Sequence, residues 1–297
     1  MINVAVIGAG TMGNGIAHLF AQHGFTVNLV DLHAGQLEKA MVVISKNLDR
    51  QIQKNLLTPD DKIHIIRRIQ PVQKLPDGVR DAGLIIEAAT ENENIKLQIF
   101  RELDQYAKPD AILASNTSSI SITRIAASTK RPSRVIGMHF MNPVPVMKLV
   151  EVINGYATEQ EVTDQIMSLS EQLGKTPCLV ADFPGFISNR ILMPMINEAI
   201  LSVQEGVASV ESIDSIMKLG MAHPMGPLQL ADFIGLDICL SILKVLQEGF
   251  GQPKYAPAVL LVNMVAAGKL GIKSGEGFYS YSSGSKELVV AEKFKSQ

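Results

Sequence analysis

Residues 3–22 read NVAVIGAGTMGNGIAHLFAQ, and this stretch decides the fold. Residues 3–7 form a short apolar, β-branched run, which is typical of a strand in a parallel sheet that is covered on both faces. Residues 14–22 have the spacing of a helix. Between them lies the motif G-x-G-x-x-G, with its glycines at Gly8, Gly10 and Gly13. A strand, this glycine spacing and a helix in that order predict a turn that binds a dinucleotide.

Each glycine of the motif has its own physical purpose. The first permits a tight turn, the second lets the backbone approach a pyrophosphate, and the third lets the helix and the strand pack closely. The helix that follows offers free N–H groups and a partial positive charge at its N-terminus, which together attract an anion. The predicted contacts to the cofactor in this turn are Gly8, Gly10, Thr11, Met12 and Gly13.

An acidic residue at the end of the second predicted strand distinguishes between the two nicotinamide cofactors. Asp31 lies 18 residues after Gly13, close to the spacing of about 20 at which a carboxylate meets the ribose 2′-OH. Its charge would repel a 2′-phosphate, and the next residues, Leu32 and His33, offer no Arg or Lys. The sequence therefore predicts NAD rather than NADP. The alternative is an ordinary glycine turn beside an ordinary strand-end carboxylate.

The composition excludes several classes of function. The chain has 297 residues, of which 46% are hydrophobic and 19% are charged. It can therefore bury enough apolar surface to offset the loss of conformational entropy on folding, which excludes a generally disordered protein. Lys and Arg number 27 against 29 for Asp and Glu, which gives a net charge of −2. Binding to a nucleic-acid backbone needs a positive surplus. We therefore expect no nucleic-acid partner.

The cysteines and the apolar segments favour a cytoplasmic protein. Cys178 and Cys239 have the spacing of neither a disulfide framework nor a zinc site, so no metal is expected. The longest apolar stretch, residues 228–246, contains Asp232 and Asp237, and each would cost about 2.5 to 3.5 kcal/mol at a bilayer centre. This stretch predicts a buried helix rather than a membrane span. The apolar start lacks a basic leader, so no signal peptide is expected.

The first half of the chain alternates short strands with helical patterns. Seven runs bounded by Gly, Pro, Asp or Asn lie at residues 3–7, 26–31, 82–88, 111–115, 134–140, 148–153 and 177–181. The alternation predicts an α/β, Rossmann-like domain with a mostly parallel sheet. Residues 36–68 interrupt it as an inserted helical hairpin, in which Thr58 caps the second helix and Pro59 takes its first position. This hairpin is a candidate substrate arm.

The pattern changes after residue 183, where long helices replace the strands. They are predicted at residues 187–204, 210–218, 228–247 and 258–267, and the glycines expected to end helices are Gly206, Gly220, Gly249 and Gly268. We therefore predict an NAD-binding Rossmann-like domain over residues 1–183 and an all-α domain over residues 184–297. The second domain is rich in Met and Leu, and we expect it to contribute to substrate binding and to form a homodimer.

Residues 137–151 read GMHFMNPVPVMKLVE and contain the candidate catalytic pair. His139 ends one predicted strand and Glu151 lies in the next, after an Asn-Pro-x-Pro turn. Because proline fixes φ, the chain folds back reproducibly and the two side chains could meet across the return. A carboxylate on one imidazole nitrogen fixes the tautomer and leaves the other nitrogen to act on a substrate. Taken alone, a histidine among apolar residues is more often a core residue than a catalyst, and the surrounding motif reverses that preference.

Five motifs in this order closely resemble those of the 3-hydroxyacyl-CoA dehydrogenase family. They are SNTSS at residues 115–119, the stretch at 137–151, PGFISNR at 184–190, HPMGP at 223–227 and KSGEGFY at 273–279. The resemblance extends from Met1 to about Tyr281. The length is similar to that of the short, single-function members of the 3-hydroxybutyryl-CoA dehydrogenase type, which lack further domains.

The resemblance implies the reaction and four of its residues. The reaction is reversible, NAD-linked oxidation of an L-3-hydroxyacyl-CoA, most simply 3-hydroxybutyryl-CoA, to the 3-oxoacyl-CoA, as in fatty acid or butanoate metabolism. His139 matches the general base, Glu151 the acid that orients it, and Ser118 and Asn189 the groups that bind the substrate oxygen. Without the resemblance, Ser118 is explained as well by capping the helix that follows it, and Asn189 by a helix start that satisfies backbone groups.

The resemblance also implies contacts to the cofactor and to coenzyme A. The cofactor contacts are Glu91, Lys96, Asn116, Asn142 and Lys273, and the coenzyme A contacts on the inserted arm are Lys54 and Asn47. Asn47 replaces a Ser that the family commonly has, which keeps the capacity to form hydrogen bonds. A local cation on the arm suits a polyanionic ligand of a protein without overall positive charge. The alternative for the charged members is ordinary surface charge.

Two other functions fit the same residues. One is a dehydrogenase of this architecture that acts on a free hydroxy acid or polyol, although Lys54 and the arm favour an acyl-CoA. The other is a non-enzymatic dinucleotide-binding structural or sensor protein, since a fold does not determine a function. The joint presence of His139, Glu151, Ser118 and Asn189 favours the enzyme.

Overall fold

The computed structural model describes residues 3–281 and 288–295. The chain divides into two compact units, Met1–Phe183 and Pro184–Gln297. Strands dominate the organisation of the first unit and helices that of the second. The boundary falls where the sequence changes from short β-branched runs to long helical patterns.

The first unit is built on an eight-stranded sheet with the order β3-β2-β1-β4-β5-β6-β7-β8. Its strands are β1 Val4–Ile7, β2 Val27–Val30, β3 Ile69–Val72, β4 Leu84–Glu87, β5 Ile112–Ser115, β6 Val135–Phe140, β7 Leu149–Asn154 and β8 Thr176–Ala181. Neighbouring strands of this sheet are parallel except for β6 and β7, which are antiparallel. The predicted Rossmann-like, mostly parallel sheet is confirmed.

The sequence pattern does not predict the edge strand β3. This strand has only four residues, of which Ile69 alone is buried, and it contains Pro71. Proline lacks an N–H for the ladder, so a proline within a run argues against a central strand. The strand forms nevertheless because it lies at the edge of the sheet, where only β2 pairs with it.

Helices cover the sheet of the first unit. They are α1 Thr11–Gln22, α2 Ala34–Gln53, α3 Pro59–Arg67, α4 Leu75–Val79, α5 Glu93–Tyr106, α6 Ile122–Ala126 and α7 Gln160–Gln172. The inserted hairpin is confirmed as α2 and α3. The hydroxyl of Thr58 accepts a hydrogen bond from the N–H of Asp61, and the carboxylate of Asp61 accepts one from the N–H of Thr58. This capping box, with Pro59 in the first helical position, begins α3 where predicted.

The core of the first unit lies against the central strands. All four residues of β1 and of β4 are buried, as expected for parallel strands that helices cover on both faces. Side chains of α1 and α2, such as Phe20 and Ile44, pack into the same core. Because the faces are covered, ligands can reach this sheet at the ends of its strands.

The second unit contains five α-helices among its described residues. They are α8 Ser188–Gln204, α9 Val210–Leu219, α10 Pro227–Ile234, α11 Leu236–Phe250 and α12 Val259–Ala266. The single helix predicted at residues 228–247 is wrong, because Gly235 has a φ of +104° and separates α10 from α11. Gly249 lies inside α11, which ends at Phe250 and has Gly251, with a φ of +61°, as its C-cap. In the part of the chain that is described, no helix is both long and apolar enough to cross a membrane.

The helical character of the second domain is confirmed, and a short β-ribbon that the sequence does not predict is added to it. Strand β9, Tyr279–Ser280, pairs with the antiparallel strand β10, Val289–Val290. The carboxylate of Asp232 accepts hydrogen bonds from the N–H groups of Phe278, at 3.0 Å, and Tyr279, at 2.9 Å. These bonds hold the segment extended against α10, so it cannot continue as a helix.

Candidate functional site

The first part of the site is the glycine turn between β1 and α1. Gly8 has a φ of +96°, and a Cβ there would lie 2.8 Å from the carbonyl oxygen of Ala88. A Cβ on Gly13 would lie 1.7 Å from the carbonyl oxygen of Gly8. A Cβ on Gly10, in contrast, would meet no described atom within 4 Å. The first and third glycines are therefore required by the packing, and the second leaves open space where a pyrophosphate can approach the helix N-terminus.

A cavity of about 900 Å³ opens beside this turn. Its lining includes the predicted contacts Gly8, Gly10, Thr11, Met12 and Asp31. Most of the remaining wall is apolar, with Val30, Leu32, Ile95 and Ile99 among its residues. A concave, mainly apolar site with a few polar groups at a helix N-terminus suits an adenine nucleotide. The residues present therefore fit the predicted dinucleotide.

Asp31 has a structural role in addition to the predicted one. Its Oδ2 accepts a hydrogen bond from the N–H of Ala9 at 2.9 Å, and its Oδ1 accepts one from the N–H of His33 at 2.9 Å. The carboxylate therefore braces the glycine turn. Each carboxylate oxygen has a second lone pair, so these bonds leave acceptor capacity for a ribose hydroxyl.

The strand order shows where the rest of a dinucleotide would lie. The order reverses between β1 and β4, with β2 and β3 on one side and β5 to β8 on the other. Ligands of open α/β sheets bind outside the carboxyl ends of the strands at such a switch point. A dinucleotide with its pyrophosphate over α1 therefore extends toward the carboxyl ends of β4, β5 and β6. Polar side chains at these ends form the second part of the site.

Glu91 organises the loop that follows β5. Its Oε1 accepts hydrogen bonds from the hydroxyl of Thr117 at 2.6 Å and from the N–H groups of Ser118 at 2.8 Å and Ser119 at 3.1 Å. The ammonium of Lys96 lies 3.4 Å from its other oxygen. Burial opposes ionisation, but Lys96 and these hydrogen bonds outweigh it and lower the pKa of Glu91. A carboxylate therefore holds the predicted substrate contact Ser118 in place.

The structure excludes helix capping as the explanation for Ser118. Helix α6 has Ser121 as its N-cap, and the hydroxyl of Ser121 accepts the hydrogen bond from the N–H of Arg124. The hydroxyl of Ser118 lies 3.1 Å from Glu91 Oε1.

The side-chain oxygen of Asn116 accepts a hydrogen bond from the N–H of Phe140 at 2.9 Å. That bond ties the loop to β6, directly beside the candidate base.

The candidate base and its acid form the third part of the site. His139 Nδ1 lies 2.8 Å from Glu151 Oε2, and the two residues are 8% and 2% exposed. They are direct partners in the antiparallel pairing of β6 and β7, so both side chains stand on the same face of the sheet. When Nδ1 donates to the carboxylate, Nε2 is the nitrogen that can accept a proton.

A lysine outside every sequence motif holds the turn between these strands. Lys175 donates hydrogen bonds to the carbonyl oxygens of Val144 at 2.6 Å and Met147 at 2.8 Å. The turn contains the predicted cofactor contact Asn142, whose peptide bond to Pro143 is cis. No local pattern predicts the lysine contact, because it joins residues that are far apart in the chain. Burial lowers the pKa of Lys175.

The remaining predicted residues lie in the second unit and on the arm. Asn189 is buried in the first turn of α8, and its N–H donates to the carbonyl of Gly185 at 3.2 Å. Lys273 forms an ion pair with Asp237, with 2.6 Å between Nζ and Oδ2. On the arm, Lys54 is exposed at the end of α2, and the side-chain oxygen of Asn47 accepts a hydrogen bond from Arg50 at 3.3 Å. Their roles toward cofactor and substrate stay predictions.

The chain matches the models of two protein domains along most of its length. Residues 3–183 match the model described as "3-hydroxyacyl-CoA dehydrogenase, NAD binding domain". Residues 185–281 match "3-hydroxyacyl-CoA dehydrogenase, C-terminal domain". The two matches together contain the glycine turn, the loop after β5, the His139–Glu151 pair and the start of α8.

Individual relatives are similar over nearly the whole chain. The 3-hydroxybutyryl-CoA dehydrogenase of Bradyrhizobium diazoefficiens is 55% identical over 278 residues, which cover 94% of each chain. The 3-hydroxybutyryl-CoA dehydrogenase of Clostridioides difficile is 49% identical over 95% of this chain and 100% of the relative. The crystal structure of (S)-3-hydroxybutyryl-CoA dehydrogenase from Ralstonia eutropha has a TM-score of 0.93 and 49% identity, and it covers 95% of this chain and 100% of that chain.

Proposed function

Since the chain belongs to the 3-hydroxyacyl-CoA dehydrogenase family of NAD-dependent oxidoreductases, we propose that it interconverts L-3-hydroxybutyryl-CoA and acetoacetyl-CoA. Relatives of which this chain covers 94% or more are named 3-hydroxybutyryl-CoA dehydrogenase. The observation that supports the proposal most strongly is the buried pair of His139 and Glu151, 2.8 Å apart, at the carboxyl end of β6. Bound NAD supplies the acceptor and donor of hydride.

The proposed chemistry of the protein's own residues is acid–base catalysis. In the direction of oxidation, Nε2 of His139 takes the proton of the 3-hydroxyl group while the C3–H bond breaks with its electron pair and the carbonyl forms. Glu151 stabilises the imidazolium that results and keeps Nδ1 protonated. In the direction of reduction the same imidazolium returns the proton to the oxygen. Ser118 and Asn189 are proposed to hydrogen-bond the substrate oxygen and to fix its distance from the imidazole.

The inserted arm is the proposed contact for the coenzyme A part of the substrate. Its exposed surface includes the cation Lys54 and apolar side chains, with Leu56 67% and Ile63 49% exposed. A ligand with phosphates and an apolar chain needs both kinds of contact. Asn47 adds hydrogen-bonding capacity on the same helix as Lys54.

The second unit is proposed to form a homodimer. Several large apolar side chains on it are exposed, with Leu219 86%, Val207 72% and Met221 61% exposed. We infer that a partner covers these side chains, and a second copy of the chain is the usual partner of an enzyme of this kind. The cytoplasm is the proposed location, since Cys178 and Cys239 are both free thiols and free thiols persist in a reducing compartment.

The decisive experiment follows the NADH absorbance with purified protein and alternative substrates. Acetoacetyl-CoA should be reduced with the highest kcat/KM in a series of 3-oxoacyl-CoA substrates of increasing chain length. Free acetoacetate should be turned over poorly, since it cannot contact the arm. Efficient turnover of free acetoacetate or of a polyol would instead support a dehydrogenase of free hydroxy compounds. Absence of turnover with every acyl-CoA would contradict the proposal.

A further inference from the structure

Glu87 is a buried acid that the proposed chemistry does not use. It is the last residue of β4, and it is 0% exposed. Lys96, which lies in the first turns of α5, is 1% exposed. The two form an ion pair with 2.7 Å between Lys96 Nζ and Glu87 Oε1. Charged residues of these types are rarely buried to this extent.

Every oxygen of Glu87 is satisfied by groups at the carboxyl ends of the strands. Oε1 accepts hydrogen bonds from Lys96 and from the N–H of Ala89, each at 2.7 Å. Oε2 accepts one from the hydroxyl of Ser115 at 2.6 Å. Ser115 is the last residue of β5, so the carboxylate links the ends of two adjacent strands to the start of α5.

Two routes lead from Glu87 to the loop that contains Ser118. One passes through Lys96, whose ammonium lies 3.4 Å from Glu91 Oε2, and then through the bonds from Glu91 to Ser118. The other passes through Ser115, whose hydroxyl accepts a hydrogen bond from the N–H of Thr117 at 3.3 Å. A substitution of Glu87 would therefore disturb the hydrogen bonds that hold this loop. Glu87 itself is fully buried and cannot contact a ligand.

Stability alone is a weak reason for such a network. A buried ion pair pays for desolvation, and its replacement by apolar residues of similar volume is often neutral or stabilising. The position of the network suggests another reason. It contains two carboxylates, Glu87 and Glu91, and one ammonium, Lys96, so it carries a net charge of −1 at the end of the sheet where the nicotinamide half of a dinucleotide would lie.

A fixed negative charge distinguishes between the two redox states of the cofactor. The oxidised nicotinamide ring is a cation, whereas the reduced ring is neutral. In a partly buried site of low effective dielectric, a charge of −1 stabilises the cation and has little effect on the neutral ring. The network can therefore set the ratio of the affinities for NAD⁺ and NADH.

We propose that Glu87 is a positioning residue that holds Lys96 and Glu91 in a network of net charge −1 and thereby favours binding of oxidised over reduced cofactor. The inference rests on the proposed function only in that NAD occupies the crevice described above. Glu87 acts through Lys96, Ser115 and Glu91, and it has no contact with the reacting atoms.

The test is the substitution Glu87→Gln in the full chain. It keeps the size of the side chain and removes one negative charge, so the network becomes neutral. The dissociation constants of NADH, from its fluorescence, and of NAD⁺, from competition with NADH, are then measured without acyl-CoA. The ratio Kd(NAD⁺)/Kd(NADH) should rise about tenfold, as expected for the loss of one charge in a partly buried site.

The matched control is Glu93→Gln. Glu93 lies two residues from Glu91 and loses the same unit of charge, but its ion pair with Arg124 is at the surface. Solvent screens such a pair, so the ratio should stay within about twofold of the wild-type value. A tenfold change in this variant as well would show that burial of the charge is irrelevant, and it would overturn the proposal.

The double variant Glu87→Gln/Lys96→Met separates charge from structural damage. It leaves Glu91 as the one charged member of the network, which restores the net charge of −1. The proposal predicts that the ratio returns toward the wild-type value, even if both affinities fall. A purely structural role predicts a ratio no closer to wild type than that of the single variant. If Glu87→Gln does not fold, Glu87→Met/Lys96→Met replaces the pair by apolar side chains, and its ratio should also match the wild type.

The outcomes distinguish this proposal from the proposed function. Both dissociation constants are measured without acyl-CoA, so they remain informative if acetoacetyl-CoA is not turned over. Turnover of acetoacetyl-CoA together with an unchanged ratio in a folded Glu87→Gln variant would overturn the role of Glu87 and leave the proposed function intact.

Discussion

Individual carboxylates at the ends of parallel strands hold the loops that contain several of the predicted contact residues of the first unit. Asp31 follows β2, Glu87 ends β4, and Glu91 lies in the loop that follows β4. Each binds backbone N–H groups or hydroxyls of the adjacent loop. Such hydrogen bonds fix both the carboxylate and the loop. The residues that are predicted to contact a ligand are therefore held by carboxylates that bind their loops.

The predicted preference for NAD can be tested at Asp31. The variant Asp31→Asn removes the negative charge and keeps an oxygen that can accept the hydrogen bond from the N–H of Ala9. It should therefore weaken the binding of NADH and improve the binding of NADPH relative to that of NADH. We expect the ratio Kd(NADPH)/Kd(NADH) to fall about tenfold, the usual effect of one lost charge contact. The variant Asp31→Ala should also loosen the glycine turn and so weaken both cofactors.

Fluorescence titration with the two reduced cofactors measures these constants. The contradicting result is an unchanged ratio in both variants, because the carboxylate would then have no contact with the part of the cofactor that differs between NAD and NADP.

The sequence predicts those residues whose partners lie in a short motif. The three glycines and Asp31 follow from one strand–turn–helix pattern, and the contact of His139 with Glu151 follows from a fold-back of the chain over a proline turn. Glu87 could not be identified in this way, because it looks like the polar end of an apolar strand. Its partner Ser115 is 28 residues away, and only the pairing of β4 with β5 brings them together.

At the scale of elements, the contact between α1 and the inserted arm contains a buried histidine. His18 in α1 is 0% exposed, and its Nε2 lies 3.3 Å from Nε2 of Gln51 in α2. Burial, which disfavours the charged imidazole, lowers the pKa of His18 to about 4, although a hydrogen bond with Gln22 opposes the shift. The packing of the arm on α1 should therefore depend on pH.

The dependence of stability on pH follows from the lowered pKa of His18. Between pH 6.5 and about 4 the unfolded chain binds a proton at this residue and the folded chain does not. The free energy of unfolding therefore has its full contribution from His18 above pH 6.5, and it loses about 3 kcal/mol as the pH falls to 4. Urea unfolding of the wild type and of His18→Leu at pH 7 and pH 5 measures this effect.

The leucine variant serves as its own control, since it cannot titrate at that position. Its loss of stability between pH 7 and pH 5 should be smaller than that of the wild type by about 2 kcal/mol. Equal losses in both proteins would show that His18 does not titrate in this range.

The arm offers a second prediction at this scale. If Lys54 contacts the phosphates of coenzyme A, Lys54→Ala should raise the KM for acetoacetyl-CoA about fivefold, which corresponds to the loss of one exposed ion pair of about 1 kcal/mol. The dissociation constant of NADH should not change. The matched control is Lys62→Ala, because Lys62 is on the same arm but pairs with Asp49 at 2.6 Å. A larger effect of Lys62→Ala than of Lys54→Ala would contradict the assignment.

Elements are predictable from the sequence where one periodic pattern dominates. The central strands and the two helices of the arm show such patterns, and the structure has them at the predicted places. Two of the differences have local causes, and the third has a cause that is distant in sequence. Pro71 lies within the edge strand β3 and argues against a strand there, so the sequence does not predict it. Gly235 divides an apolar run whose pattern predicts a single helix. The ribbon at Tyr279–Ser280 depends on the carboxylate of Asp232, which is distant in sequence.

At the scale of the whole molecule, the exposed apolar side chains of the second unit predict self-association. Sedimentation equilibrium should give twice the chain mass of 32.2 kDa. Leu219→Glu, which introduces a charge at a side chain that is 86% exposed, should shift the equilibrium toward the monomer. Tyr156→Glu is the control, because Tyr156 is 95% exposed in the first unit. A wild-type mass of 32.2 kDa at micromolar concentration would contradict the proposed homodimer.

The central claim is that an imidazole held by Glu151 exchanges the substrate proton while the glycine turn binds the cofactor. The residues proposed for these two functions are different, so the functions should be separable by mutation. The most direct measurement compares kcat for the reduction of acetoacetyl-CoA with the dissociation constant of NADH in His139→Gln. We predict that kcat falls by about 10² to 10⁴, the usual contribution of general acid–base catalysis, while NADH binding changes less than about threefold. Wild-type kcat in this variant, or a loss confined to NADH binding, would contradict the claim.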